Sequence, residues 1–252
     1  GGQSNNIAPS RTHCVIGGGQ SNSITAAGTH QTIAGGQSNN TQANNASIGG
    51  GRGNSATGVG STAIGGRNNS SGSTYASTLG GYNNTASGQY SGTLPGLYAK
   101  TLLYGAIAKA NGRFGNAGDA QSLHLIARAT TTDATANQTL FLNGATATAR
   151  PTLTAKTTWT FTVQISAYND TDSAGAGWIF RGAIKRDGAN ATSIIGSIIE
   201  ENWKDTAMST ATANIIADDT NEALQIRVTG IASKNIRWVA SVNISQSSYG
   251  TP

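Results

Sequence analysis

IGGGRGNSATG at residues 48–58, IGGRNNSSG at 64–72 and LGGYNNTASG at 79–88 are three versions of one phrase: a large aliphatic, a glycine cluster, an Asn, small polar residues and a second Gly. Reading outward in both directions, an aliphatic followed by glycines recurs at Ile16, Ile33, Ile48, Ile64, Leu79 and Leu94, and Asn22, Asn39, Asn54, Asn69 and Asn84 keep step with them. A period near 15 residues is too short for a repeat of paired helices. It fits a coil of two short strands and two tight turns. The glycine cluster and the second Gly are the expected left-handed turn positions, with Asn44-Asn45 standing in for the second Gly of one coil. Stacked coils of this kind form a parallel β-solenoid or β-roll, with Ser, Thr and Asn laddering between coils.

The rest of the 252-residue chain has another composition. Residues 1–100 hold 22 of the 34 Gly and no Asp or Glu, only Arg11, Arg52, Arg67 and Lys100, for a net charge of +4. Residues 101–252 carry 12 basic and 11 acidic residues, net +1, and all four Trp. A boundary therefore falls near 118, with a repeat shaft over 1–118 and a second domain over 119–252. One cysteine, Cys14, excludes an intrachain disulfide and a four-thiolate metal site. No run of about 18 apolar residues is present, so no membrane insertion is expected. The chain starts on Gly1-Gly2 inside a repeat, which reads as a piece of a longer protein.

From Asp119 onward the pattern alternates with the period of a half-buried strand. Trp159, Phe161, Val163, Ile165 and Ala167 face one way and Thr158, Thr160, Thr162, Gln164 and Ser166 the other. Ile236, Trp238, Ala240, Val242 and Ile244 alternate equally clearly with Asn235, Arg237, Val239, Ser241 and Asn243. Weaker runs lie at 121–130, 138–143, 177–186, 192–200, 211–217 and 222–229. About eight strands with polar turns predict an antiparallel β-sandwich, jelly-roll-like, with one short helix near Ile199–Lys204. The fold class is thus all-β.

Each coil supplies about one large aliphatic, worth roughly 2 kcal/mol when buried, against an ordering cost of about 1–2 kcal/mol for each residue. A further apolar interface is expected. Association of three chains with Ile16, Ile33, Ile48, Ile64, Leu79 and Leu94 turned toward a shared axis supplies it.

The repeat resembles the heads of trimeric bacterial adhesins and, more closely in its consecutive glycines, the Gly-rich arrays of phage tail fibres. Leu94-Pro95-Gly96 followed by Tyr104-Gly105-Ala106-Ile107-Ala108-Lys109-Ala110 resembles the end of such an array. Several stretches of the second half resemble C-terminal tail-fibre domains: Gly118–Gln121, Thr132–Ala134, Trp178–Ile184, Ala217–Leu224 and Val228–Ala240. The resemblance implies a homotrimeric fibre tip in the virion tail, joined to other tail proteins through a region preceding residue 1. It also implies adsorption to a host-surface glycan or lipopolysaccharide. The alternatives are an adhesin head and a tailspike that cleaves polysaccharide.

Glycan recognition combines a flat aromatic face with amide or carboxylate groups. Trp159, Trp178 and Trp238 fall on core faces, whereas Trp203 is set among charges, so Trp203 and Lys204 are candidate receptor contacts. Tyr168, Asn169, Asp170 and Asp172, in the loop that follows the strongest strand, are the others. A glycosidase needs two flanking carboxyls, and Glu200, Glu201, Asp170, Asp172, Asp218 and Asp219 are available, but all read as turn or surface acids. The expectation is a protein that is not an enzyme. His13 and His30 should stack one coil apart, and His124 lies at a strand surface. No metal ligand set or cofactor is expected, and calcium is excluded from the repeats, which lack the Asp that a calcium-binding roll requires. No basic stripe with interleaved aromatics suggests nucleic acid.

Overall fold

The computed structural model describes residues 1–25, 28–144 and 148–250. It is all-β, with a single 3-10 turn at Thr206–Met208 among the described residues. The chain divides into two compact units, Gly1–Gln121 and a unit from Ser122 onward.

The first unit is a parallel β-solenoid of about seven coils. Two-residue strands stack in two ladders. One runs Asn6–Ile7, Ser23–Ile24, Asn40–Thr41, Ser55–Ala56, Ser70–Ser71, Thr85–Ala86 and Lys100–Thr101. The other starts at Val15–Ile16 and continues through Thr32–Ile33, Ser47–Ile48, Thr62–Ala63, Ser77–Thr78 and Gly92–Thr93 to Ile107–Lys109.

This register corrects the alignment of the aliphatic anchors. Ile16 pairs with Ile33 and Ile33 with Ile48, but Ile48 pairs with Ala63, then Ala63 with Thr78 and Thr78 with Thr93. Ile64, Leu79 and Leu94 each stand one residue further on. A shift of one residue in a strand reverses the face a side chain occupies. Ile33 and Ile48 are accordingly buried inside their own coil with Ile24, Ala46, Ala56 and Ala63, and Ile16 packs partly against that cluster. Ile33 and Ile48 therefore belong to one chain's interior, not to a surface that sister chains could share, while Ile16 stays half-buried. Ile64, Leu79 and Leu94 form an outward row, 54%, 42% and 39% exposed. Past Ile48 the solenoid interior is built from Ala, Ser and Thr, and its hydroxyls bond one another: Ser71 with Thr78 at 3.1 Å and Ser91 with Thr101 at 2.7 Å. The first half thus has a narrow core of its own, contrary to the expectation that its apolar core is borrowed.

The Asn ladder holds the coils in step. Each side chain uses both of its N–H donors and its carbonyl acceptor. Asn54 Nδ2 donates to the carbonyls of Gly50 at 2.8 Å and Gly66 at 3.1 Å, and Asn54 Oδ1 accepts from Asn69 N at 2.9 Å. Asn22, Asn39, Asn69 and Asn84 repeat the pattern. The second Gly has a different cause from the one expected. Gly58 and Gly88 do not have positive φ. A Cβ there would lie 2.0 Å from the Ser73 carbonyl oxygen and 2.2 Å from that of Leu103, so close approach of the next coil requires glycine. The left-handed corner falls two residues after these glycines, at Gly60 and Tyr90, and at the equivalent Tyr75, Gly105 and Asn45, the last as the Asn44-Asn45 reading expected. His13 and His30 occupy the same corner, and their rings stack at 4.7 Å as the spacing predicted.

Two side chains close the last coil. The Gln121 amide imitates a strand residue, accepting from Lys100 N and donating to Lys100 O, both at 2.9 Å. Asp119 accepts from the amides of Phe114, Gly115 and Asn116 at 2.9, 2.7 and 2.7 Å. Burial pushes the Asp119 carboxyl up, but these three amides and the nearby Arg113 outweigh it and hold it below the usual carboxylate range. A depressed carboxyl stabilises the fold fully above its unfolded pKa, near 3.9, and that contribution is lost as pH falls through the lower folded value. Asp119→Asn is expected to cost about 2 kcal/mol at pH 7. In melting curves recorded from pH 7 down to pH 2, the wild type and the variant should begin to approach each other below about pH 4 and meet only below the depressed folded value.

Among its described residues the second unit has eight strands, β1 (Ala120–Thr131, whose first two residues belong to the solenoid unit), β2 (Gln138–Thr139), β3 (Thr157–Asn169), β4 (Ala174–Arg186), β5 (Thr192–Lys204), β6 (Thr212–Asp218), β7 (Ala223–Thr229) and β8 (Ile236–Ser248). One antiparallel sheet runs β5-β4-β3-β8-β1, and a second runs β2-β7-β6. Each sheet buries one face, as a β-sandwich does. Trp159, Phe161, Val163, Trp178, Phe180, Ile184, Trp238 and Val242 line the buried face of the first sheet, and Leu224, Ile226, Val228 and Ile215 that of the second. Trp178 and Trp238 pack with ring centroids 5.4 Å apart, and the Trp238 indole N–H donates to the Thr131 hydroxyl at 2.9 Å. The short helix expected at Ile199–Lys204 is strand. These residues pair with β4 from Arg181↔Ile199 to Ala176↔Lys204, so ladder hydrogen bonds rather than local preference set their conformation.

Candidate functional site

The long sheet turns alternate residues outward, and at one end its outer face holds a shallow groove of about 310 Å³ lined by Thr130, Tyr168, Asp170, Asn235 and Arg237. Register explains the assembly. Tyr168 on β3 lies directly opposite Arg237 on β8, and β1, which carries Thr130, is the next strand. Asp170 follows the end of β3, and its amide donates to the carbonyl of Asn235 at 3.0 Å, which ties the two loop residues together. Tyr168 is 53% exposed.

The expected contact residues separate into two groups. Tyr168 and Asp170 line the groove. Asn169 is buried, and it holds the turn by donating to Asp172 at 2.8 Å and accepting from Thr171 N at 3.0 Å. Asp172 pairs with Lys234 at 2.6 Å. The Lys234 ammonium, with help from the Asn169 amide, holds the Asp172 carboxyl below its usual range. Lys204 donates to the Ala211 carbonyl at 2.7 Å and lies over the Trp178 ring, so its charge is spent within the fold. Asn169, Asp172 and Lys204 are thus engaged by partners within the fold. Trp203 is 56% exposed on the same outer face as Tyr168.

Arg237, Asn235 and Thr130 were missed as site residues. The alternation had placed Asn235 and Arg237 on the polar side of their strand, but nothing local shows that Tyr168 is their neighbour. Among the described residues, neither Asp170 nor Arg237 takes part in an ion pair. The groove therefore offers a free acceptor, a free fork of donors, an amide, a hydroxyl and an exposed aromatic ring. Of the other acids, Glu201 pairs with Arg181 at 2.8 Å and Asp218 with Arg150 at 3.7 Å. Asp218 also caps its own turn, accepting from the amide of Asn221 at 3.0 Å.

No family model and no curated protein matches the chain. The solved structures similar to it include three phage tailspikes. That of Acinetobacter baumannii phage AM24 is 8% identical with a TM-score of 0.26, over 98% of this chain and 55% of its own. That of Acinetobacter phage vB_ApiP_P1 is 9% identical with a TM-score of 0.27, over 92% and 56%. The third is gp49 of Acinetobacter baumannii bacteriophage Fri1, a capsular polysaccharide depolymerase, 8% identical with a TM-score of 0.26, over 92% and 47%. The chain spans about half the length of each. With a depolymerase among these structures, the expectation that the chain is not an enzyme is withdrawn.

Proposed function

We propose that the chain is the distal part of a phage tail fibre or tailspike, exposed on the virion, that attaches the particle to a host-surface glycan. The observation that carries this reading is the Tyr168–Arg237 groove. A sugar hydroxyl both donates and accepts, so it is matched by paired groups of opposite kind: the Asp170 carboxylate and Arg237 guanidinium, with Asn235 and Thr130 beside them. The Tyr168 ring supplies an apolar surface for the carbon–hydrogen face of a sugar.

Three copies of the chain are part of the proposal. The row of Ile64, Leu79 and Leu94 is the apolar surface left for neighbouring copies to cover, since a soluble protein rarely leaves such a stripe in water. Light scattering on the purified chain is expected to give three times the 25.5 kDa mass, and a monomer would remove this part of the reading.

The binding test uses fluorescently labelled protein on a panel of bacterial strains and on surface polysaccharide purified from the strains it marks. Tyr168→Ala and Arg237→Ala are each expected to weaken binding about tenfold, equivalent to about 1.4 kcal/mol, with melting temperature unchanged. Unchanged binding in both variants would sink the groove as the site. The length of the polysaccharide after the same incubation distinguishes a tailspike that cleaves its receptor from a fibre that only holds it.

A further inference from the structure

We propose, resting on the reading above, that the ligand is an extended glycan strand of several sugar units rather than a single terminal sugar. It lies across the outer face of the long sheet from the Tyr168–Arg237 groove to Trp203. Directly opposed residues in an antiparallel pair share a face. Trp203 on β5 opposes Gly177 on β4, and Gly177 opposes Ser166 on β3. Two residues along, Tyr168 opposes Gly175 on one side and Arg237 on the other. Trp203, Gly177, Gly175, Ser166, Tyr168 and Arg237 therefore share one surface.

Between the two exposed aromatic residues, β4 contributes only Gly175 and Gly177, so the floor there is bare backbone. A Cβ on Gly177 would lie 4.0 Å from Trp203 Cε3, which means the indole leans over this floor. At Gly175 the nearest atoms to such a Cβ are the Ala167 carbonyl oxygen and Asp205 Oδ2, both at 3.9 Å, so that part of the trough is open. The floor is also fixed: Gly175 N donates to Asp205 Oδ2 at 2.7 Å and Asp205 N donates back to Gly175 O at 3.0 Å. The exposed Asp205 carboxylate adds an acceptor at its edge.

From β5 to β8 is three strand spacings, about 14 Å, more than one sugar ring covers. Along that span the surface offers an aromatic ring, an open floor with an acceptor, a second ring, and the free Asp170 and Arg237. A polysaccharide presents the same alternation of apolar ring faces and hydroxyl edges. A rival occupant, a second copy of this chain, would hide Trp203 in the absence of any glycan.

Trp203 allows a direct test, because Trp159, Trp178 and Trp238 are all buried. Acrylamide should quench Trp203 selectively in the full chain as purified. The probes are size-graded fragments of the surface polysaccharide from a strain that the protein marks, down to its monosaccharides. Long fragments are expected to protect the quenchable fluorescence, and monosaccharides to bind without protecting it. Trp203→Ala is expected to weaken long fragments about tenfold, a large aromatic contribution, and to leave monosaccharide binding unchanged. Gly177→Val, which fills the floor, is expected to do the same. Equal affinity for short and long fragments would overturn the proposal, as would Trp203 shielded from acrylamide before any glycan is added. In those cases the groove still stands if the Tyr168 and Arg237 variants lose binding. If the wild type binds no fragment, both readings fall.

Discussion

Gly66→Ala is expected to break the solenoid, while Gly65→Ala beside it is expected to be nearly silent. Gly66 has φ +81, and a Cβ there would lie 2.2 Å from the carbonyl oxygen of Gly81 in the next coil. That oxygen already accepts from Arg67 N at 2.9 Å and from Asn69 Nδ2 at 3.0 Å. The methyl therefore pushes on the atom that joins two coils by two hydrogen bonds. A left-handed backbone costs an alanine about 1–2 kcal/mol, and loss of both bonds brings the total to roughly 3–5 kcal/mol. Domain stabilities are about 5–15 kcal/mol, so a loss of this size shows plainly. At Gly65 the added Cβ meets nothing within 4 Å, and its φ lies outside the left-handed range. Far-UV circular dichroism follows the strands of both units, while the four Trp lie beyond the repeats and report on the second unit alone. Gly66→Ala should lower the first signal and its melting temperature and leave the Trp transition in place. Indistinguishable melts for the two alanine variants would refute the stacking geometry.

Asn69→Ala should have an effect of similar size from a different cause. The side chain donates to the carbonyls of Gly65 at 2.8 Å and Gly81 at 3.0 Å and accepts from Asn84 N at 2.9 Å. Truncation removes the ladder partners of Gly65 O and Asn84 N and leaves Gly81 O with Arg67 alone. Each buried group left unsatisfied costs about 1–3 kcal/mol, so a loss of roughly 3–5 kcal/mol is expected. Asn69→Asp should be worse at pH 7, because a carboxylate has no donor for two carbonyls that face it. Denaturant unfolding of the two variants beside wild type measures both losses. A loss below about 1 kcal/mol for Asn69→Ala, less than the cost of one unsatisfied buried group, would show that solvent or a neighbour replaces the ladder.

Local chemistry wrote much of this molecule. A period near 15 residues with Gly and Asn in fixed places dictates a stacked coil, and the alternation at 158–167 and 235–244 dictates long strands with one buried face. The Asn ladder was legible because one residue type meets three hydrogen-bonding demands at the same place in every coil. The aliphatic row was misread at one point. The eye links Ile48 to Ile64, both followed by glycines, whereas the register links Ile48 to Ala63. Hydrogen bonds between coils decide that pairing, and an isolated repeat does not contain them. The same distinction governs Ile199–Lys204, where residues of mixed preference became strand because β4 offered an unpaired edge.

The candidate site divides along the same line. Exposed Trp203 and a loop at Tyr168–Asp172 could be picked out from their charged or polar surroundings. Which of those residues remain free was decided by partners far away in sequence: Lys234 neutralises Asp172, the Ala211 carbonyl takes the Lys204 ammonium, and Asn169 turns inward. Arg237 entered the site because antiparallel register sets it opposite Tyr168, 69 positions earlier. The sequence by itself determined the two architectures, the ladder residues and the buried aromatic faces, since each follows from a repeat or an alternation a few residues long. Only the tertiary structure decided the register of the coils and the membership of the groove, because both depend on which distant backbone groups hydrogen-bond to each other.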